Sequence, residues 1–572
     1  MNLTLRDYQV EDVSKIQSEL EDVSSTLYVA ATGLGKTVVM AELVRQMLPK
    51  RTIFLCHRSE LIFQARETFL KAGLECQIEK GELTASTNLF TRSPVVLATV
   101  QTMLSGEVDK KRMARFHPMD FGLLIYDESH HSVSKGNKSI VKYFTDGNPN
   151  LKVMGATATP SRVDEEALGH IFETVASNRD ILFGIENGWL VEPLQQMVHV
   201  ESIDLTHVHT TAGDLNTGAL SAVMEAEEPV QRVAMPTIEA MYELPIGTLN
   251  GYPIERWKEV CEFTGRTPKR TIVFTVSVHQ AEMLCNIFNR AIPGIALWVC
   301  GKTSDSERSQ IFQDFQNGKS SILVNVGVTT EGYDNPYVEL IAMARPTKSQ
   351  SLYAQCVGRA TRTLPGLVDG IDNKADRLDA IASSKKPKAL VLDFVGNSGK
   401  HKLISLGNVL GGNVSDEAVE LAVRKAREKR SPISMTQAML EAEEELKKKV
   451  LEARMRVEAR KNSLVAKVRY STTRIDPFSA LDIVPVRERG WDSGKTLSEK
   501  QRALLLKQGL SPDEMSYSQG RQVLNEMFRR WGSKLATLKQ CNIIKKNRPQ
   551  IDCRNLTMDD ASKIIGEIFN KN

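Results

Sequence analysis

Leu27-Tyr-Val-Ala30 runs directly into Ala31-Thr32-Gly33-Leu34-Gly35-Lys36-Thr37, and a helical pattern carrying Val38, Val39, Leu43 and Val44 follows. An apolar run of strand length, a turn with two glycines and a helix opening on Lys36-Thr37 form the strand–loop–helix unit of a phosphate loop, with Ala30 standing where the first glycine is usual. Gly33 and Gly35 let backbone N–H groups close on phosphate oxygens, and the helix N-terminus adds its positive end. Within this candidate segment (Thr32, Gly33, Leu34, Gly35, Lys36, Thr37), Lys36 is expected to meet the β/γ-phosphates. The Thr37 hydroxyl is expected to ligate Mg²⁺.

Further apolar runs surround that unit at Thr52–Cys56, Val95–Ala98, Phe121–Tyr126 and Lys152–Gly155, separated by polar or helix-length segments. Short continuous runs alternating with helical patterns predict strands buried on both faces, hence a parallel sheet with crossover helices. At the end of one run, Phe121-Gly-Leu-Leu-Ile-Tyr126 delivers Asp127 and Glu128. Asp127 is read as holding Mg²⁺ through water, and Glu128 as orienting and deprotonating an attacking water. The alternation restarts at Arg270–Phe274, Ile295–Val299, Ser321–Asn325, Val338–Ala342 and Ala389–Asp393. The expected fold class is therefore α/β, with two tandem parallel-sheet domains at 1–190 and 270–414. Residues 191–269, including a strand at Gln196–Val200, are read as linker or insertion.

From 415 onward the character changes. A charged helical region is expected over 415–495, interrupted by Pro432, with a long second pattern at about 434–468 that is either a solvated helix or an arm for nucleic acid or a partner. A tandem helical repeat is expected over 496–572. In it Lys500-Gln501-x-x-Leu504-Leu505 matches Lys539-Gln540-x-x-Ile543-Ile544, and Val523-Leu524-x-x-Met527-Phe528 matches Ile564-Ile565-x-x-Ile568-Phe569. Each copy reads as two helices that need the other copy to bury their apolar faces.

The 572 residues hold 74 Lys+Arg and 70 Asp+Glu, a net charge of +4, which argues against a polycationic coat for nucleic acid. That charge is uneven. Residues 1–190 and 191–414 each hold 21 basic and 24 acidic side chains, whereas 415–572 holds 32 and 22, or +10. No apolar stretch of membrane-spanning length and no signal-peptide pattern occurs, so a cytoplasmic protein without a membrane partner is expected. The eight cysteines are dispersed without a Cys-x-x-Cys pair, which predicts reduced thiols, and Cys356 reads as a packing residue.

These motifs resemble those of superfamily 2 helicases with an Asp-Glu-x-His box, from residue 5 to about 394. Leu5-Arg6-Asp-Tyr-Gln9 is similar to the segment that reads adenine, which implies Arg6 and Gln9 as nucleotide contacts. His57-Arg58-x-x-Leu61-x-x-Gln64 and Ala98-Thr99-Val-Gln101-Thr102 resemble nucleic-acid-contacting segments. Gly155-Ala-Thr157-Ala-Thr159-Pro160 resembles the segment coupling hydrolysis to domain movement. Asn325-Val-Gly-Val-Thr-Thr330-Glu-Gly332-Tyr-Asp334 resembles one that touches both strand and nucleotide: Thr330 on the nucleic acid, Gly332 and Asp334 toward the nucleotide. Gln355-Cys-Val-Gly358-Arg359-Ala-Thr-Arg362 resembles the arginine-bearing motif. A γ-phosphate transition state needs added positive charge, so Arg359 and Arg362 are catalytic candidates with Lys36, Asp127 and Glu128, and the resemblance implies Gln355 as another.

The resemblance implies two RecA-like domains followed by a mostly α-helical region, with ATP and Mg²⁺ as cofactors. Ala344-Arg-Pro-Thr347 through Tyr353 looks most like bacterial and phage DNA-repair or replication helicases such as the RadD group, in the ATPase core only. The Cys-rich zinc region that RadD proteins carry has no counterpart here. The function expected on this basis is an ATP-dependent DNA helicase or translocase acting on single-stranded, forked or branched DNA. The alternatives are an RNA helicase, or an ATP-gated clamp that recruits a protein partner through the C-terminal repeats.

Overall fold

The computed structural model describes residues 4–569 except 89, 108–110, 130–134, 159–167, 169–170, 212, 329–332, 398–402, 411–413, 430, 464–474 and 487–493. Among these residues the first sheet has seven strands: β1 (Ser25–Ala30), β2 (Arg51–Cys56), β3 (Cys76–Glu79), β4 (Val95–Thr99), β5 (Phe121–Asp127), β6 (Lys152–Thr157) and β7 (Thr174–Arg179). Their order is β3-β4-β2-β5-β6-β1-β7, with every pairing parallel. Strands β1, β2 and β4 are buried at every position. That is why they read as unbroken apolar runs and not as alternating ones. Parallel strands also bring their carboxyl ends to one edge, which gathers the phosphate loop after β1, Asp127 closing β5 and Thr157 closing β6.

The chain then leaves the first sheet and enters the second through β8 (Pro193–Asp204). A short antiparallel pair, β9 (Thr210–Thr211) and β10 (Asp214–Leu215), follows. The remaining strands are β11 (Thr271–Phe274), β12 (Ala296–Val299), β13 (Ile322–Asn325), β14 (Leu340–Met343), β15 (Ala389–Asn397) and β16 (Ile433–Ser434). The second sheet runs β12-β13-β11-β14-β15-β8-β16, parallel apart from antiparallel β16.

This topology corrects the reading of 191–269 as linker or insertion. Strand β8 pairs with β15 from Pro193↔Ala389 onward, and its Val198 and Val200 share a core with Leu220, Val233 and Trp257 from the following helices and with Val273 and Leu392 of the sheet. The segment is part of the second domain.

The charged region after 415 differs from expectation in the same direction. Pro432 does separate two helices, Asp416–Glu428 and Met435–Ser463. Their apolar stripe, however, including Ala418, Ala422, Met435, Met439 and Ala442, lies in the same core as the α/β domains, and the boundary between compact units falls between Glu452 and Ala453.

The C-terminal unit is helical, as the repeat predicts. Helices Glu499–Lys507 and Tyr517–Gly532 form the first copy, Leu538–Asn547 and Met558–Phe569 the second. Capping boxes Ser498/Gln501 and Thr537/Gln540 open the first helix at matching positions. The copies share one core of Leu505, Val523, Leu524, Cys541, Ile544 and Ala561. Among the described residues, no helix is long and apolar enough to cross a membrane. All eight cysteines are free, and burial pushes the Cys356 thiol up to about 12, in keeping with a packing role.

Candidate active site

The phosphate loop takes the backbone that its glycines allow. Gly33 has φ 95° and Gly35 φ 74°, both in the region side chains avoid. A Cβ on Gly35 would stand 2.6 Å from Gln9 Nε2, and one on Gly33 would stand 2.8 Å from Leu190 Cδ2. Glycine is therefore required at both positions, by the backbone conformation and by the packing of Gln9 and Leu190 against the loop. Gln9 Nε2 and the Tyr8 hydroxyl both donate to the Leu34 carbonyl, at 3.1 and 2.7 Å, so the start of the first helix also fixes the loop. Gln9 Oε1 accepts from Arg6 N at 2.9 Å.

Lys36 Nζ donates to Ala30 O at 3.2 Å and stands 3.8 Å from Glu128 Oε1. Glu128 adopts φ 50°, uncommon outside glycine, with its N–H on Asp127 Oδ1 at 3.0 Å. Such a turn at the end of β5 aims the two successive carboxylates in different directions. Asp127 is buried and Thr37 half-buried at the mouth of the loop. A hydroxyl and a carboxylate are oxygen donors of the kind a hard cation on a phosphate takes.

The arginine-bearing segment of the second domain sits on this loop. A Cβ on Gly358 would be 2.7 Å from Thr32 Cβ, and the Cβ imagined on Gly33 would lie 3.4 Å from Arg362 Cγ. Arg362 Nη1 binds Asp334 Oδ2 at 2.5 Å. Arg359, 8% exposed, donates Nη1 to Tyr333 O at 2.6 Å. Burial and the neighbouring Arg362 cation bring the Arg359 guanidinium down to about 10, against the opposing pull of Asp334 and Glu128. Those four charges thus lie within electrostatic reach of one another. Gln355 is buried on the helix Gln350–Val357 that leads into the segment.

The expected nucleic-acid contacts are less uniform. Arg58 Nη1 donates to Gly327 O at 3.1 Å and Val328 O at 3.3 Å, so it bridges the two α/β domains. Thr99 and Thr102 are buried, with Thr99 Oγ1 capping the short helix through Thr102 N at 3.2 Å, whereas Gln101 is exposed. Thr157 is fully buried at the end of β6. Thr159, Thr330 and Gly332 lie outside the described residues.

Four residues here were not singled out from sequence. Trp189 lies between two guanidinium groups, Arg6 Cζ at 4.7 Å and Arg377 Cζ at 3.8 Å from its ring. Leu190 forms a bridge with Arg362, and Val191 N donates to Thr361 O at 2.6 Å. Lys386, only 1% exposed, donates Nζ to Arg362 O at 2.7 Å and Pro336 O at 2.8 Å.

Comparison with known proteins places this geometry. Residues 2–162 match the family described as type III restriction enzyme, res subunit, and residues 255–363 match the helicase conserved C-terminal domain. The chain is 31% identical over 373 residues to the putative ATP-dependent helicase IRC3 of Saccharomyces cerevisiae, covering 63% of this chain and 49% of that protein. It is 30% identical over 381 residues to the putative mitochondrial ATP-dependent helicase irc3 of Schizosaccharomyces pombe, covering 64% and 56%. The matches thus span about half the length of these relatives. Among solved structures, a fragment of a putative HsdR subunit of a type I restriction enzyme from Vibrio vulnificus aligns with TM-score 0.44 at 19% identity over 70% of each chain. With family models matching on both α/β domains and the phosphate loop facing the arginine segment, these two domains resemble those of the superfamily 2 helicases.

Proposed function

We propose that this chain is an ATP-dependent DNA helicase or translocase, coupling hydrolysis to movement along, or remodelling of, single-stranded or branched DNA in replication, recombination or repair. The observation that carries the reading is the seating of Gly358 and Arg362 on Thr32 and Gly33. Charge that stabilises phosphoryl transfer comes from one domain and the phosphate cradle from the other, so turnover is tied to how the domains meet.

Nucleotide entry draws Lys36 from Ala30 O and Glu128 onto the phosphates. Glu128 then orients the attacking water and accepts its proton. Thr37 and Asp127 would hold a Mg²⁺ ion, which neutralises phosphate charge during transfer. Arg362, now on Asp334, and Arg359 supply the remaining positive charge. Release of that charge after hydrolysis loosens the contact between the domains. The Arg58 link to Gly327 and Val328 carries the change to the segments that grip the backbone. A grip made mainly on phosphates is independent of sequence and sensitive to salt.

The test is ATPase and strand displacement by the whole chain across single-stranded, forked and Holliday-junction DNA and RNA. Stimulation and displacement on DNA substrates are expected. Stimulation by RNA alone overturns the DNA assignment, and ATP-dependent binding without displacement or movement overturns the motor.

A further inference from the structure

The C-terminal unit directs most of its large apolar side chains inward but leaves an aromatic pair in solvent. Phe528 is 53% exposed and Trp531 41%, with ring centroids 5.5 Å apart and planes at 82°. Both lie on the helix Tyr517–Gly532, whose opposite side buries Val523, Leu524 and Met527. The fold does not need the pair in its core. Two large rings packed edge to face still expose ring surface to water, the kind of surface that marks a binding site. The second repeat copy does the same: Phe569, which matches Phe528, is 62% exposed.

The same helix carries a third ring with cations beside it. Arg521 stands 5.9 Å from the Tyr517 ring on the same helix, with Lys495 6.0 Å from that ring. Beyond Trp531, Lys534 is exposed, whereas Arg529 is held by Glu526 at 2.7 and 2.8 Å. Residues 496–572 hold 14 basic and 8 acidic side chains, a net +6. A second copy of this unit carries the same net positive charge, so self-association through it is opposed electrostatically. Unpaired bases of any sequence stack on exposed rings, and their phosphates are complementary to the unit's net positive charge. Duplex DNA offers phosphates but keeps its base faces covered.

We infer that Phe528 and Trp531, on a unit of net positive charge, form a stacking platform for single-stranded DNA. The inference rests on the DNA reading above and is tested apart from ATP turnover. The full chain and its F528A/W531A and F528Y/W531F variants are titrated with a fluorescent oligo-dT and with a blunt duplex of equal length. ATPase is measured at zero and saturating oligo-dT. The alanine variant should bind oligo-dT about tenfold or more weakly, the loss expected from removing base stacking on aromatics. Its duplex affinity, basal ATPase and turnover at saturating DNA should hold, and the Tyr/Phe variant should keep the wild-type affinity.

Unchanged oligo-dT affinity in the alanine variant overturns the platform, as does an equal loss on duplex. A concentration-dependent dimer of the wild type that the alanine variant abolishes, with oligo-dT binding intact, assigns the pair to self-association instead. Failure of the wild type to bind any DNA refutes the functional reading itself, an outcome distinct from each of these.

Discussion

Replacing Lys386 by methionine should change how the stability of the α/β unit depends on pH. Burial, with the Arg362 cation adding to it against Glu339 and Asp334, brings the Lys386 ammonium from 10.5 down to about 7. The folded state releases this proton near 7, while the unfolded chain holds it to about 10.5. Between those values the unfolded state binds more protons, so stability rises with pH, by up to ~1.4 kcal/mol per pH unit for one group. The full interval sets a ceiling of ~5 kcal/mol, present above 10.5 and lost as pH falls through 7.

Methionine has no such proton. Urea unfolding of wild type and Lys386→Met at pH 7, 8 and 9 should therefore show the stability difference moving in favour of wild type by ~2–3 kcal/mol across the series. Other titrating groups are common to both chains and cancel. Because Lys386 also holds the Arg362 carbonyl, the variant should lose turnover more than nucleotide affinity. Equal pH slopes for the two proteins would refute the account of a lysine neutral in the fold near pH 8.

Lys36→Ala should abolish ATP turnover while circular dichroism and oligo-dT binding persist; normal turnover removes the phosphate-loop assignment. Arg362→Ala should lower kcat by roughly a thousandfold, as loss of a finger arginine does, with nucleotide affinity changed far less; single-turnover rates check it. Asp393 is raised to about 6 chiefly by burial, while the Tyr353 hydroxyl at 2.6 Å and Gln195 donate to it. Its charged form is therefore a cost above pH 6. Asp393→Asn should stabilise the chain at pH 7.5 by up to ~3 kcal/mol, a gain that fades as pH falls through 6 toward 4, read by denaturant midpoints.

Local order carried most of the legible information. Strand β1, the two glycines and Lys36-Thr37 are contiguous, so periodicity and turn chemistry were enough to place them, as they were for β5 with Asp127 and Glu128. The pairing of β8 with β15 joins residues almost two hundred positions apart, and no local pattern encodes it. Lys386 sits among Lys385, Pro387 and Lys388, all exposed, a composition that reads as solvated loop; only the tertiary fold buries the one lysine. Trp189 likewise gains its meaning from Arg6 and Arg377, which approach from distant parts of the chain. Burial also explains why Thr99 and Thr102 present little to a ligand although their motif suggested contact: their hydroxyls are turned on each other at 2.7 Å.

The crossing from one sheet to the other at Trp189–Val191 lies against the phosphate loop, through Leu190 on Gly33. The pivot and the fuel chamber are the same place. Strand β1 is next to this crossing, whereas β3 stands five strands away along the sheet, roughly 24 Å at normal strand spacing. A rotation about the crossing therefore works as a long lever with its short arm at the nucleotide. In such a rotation, sub-ångström adjustments between Gly33, Leu190 and Arg362 would become displacements several times larger at the outer strands. Lengthening the segment between β7 and β8 would therefore slacken the packing of Leu190 on Gly33 and with it any such lever.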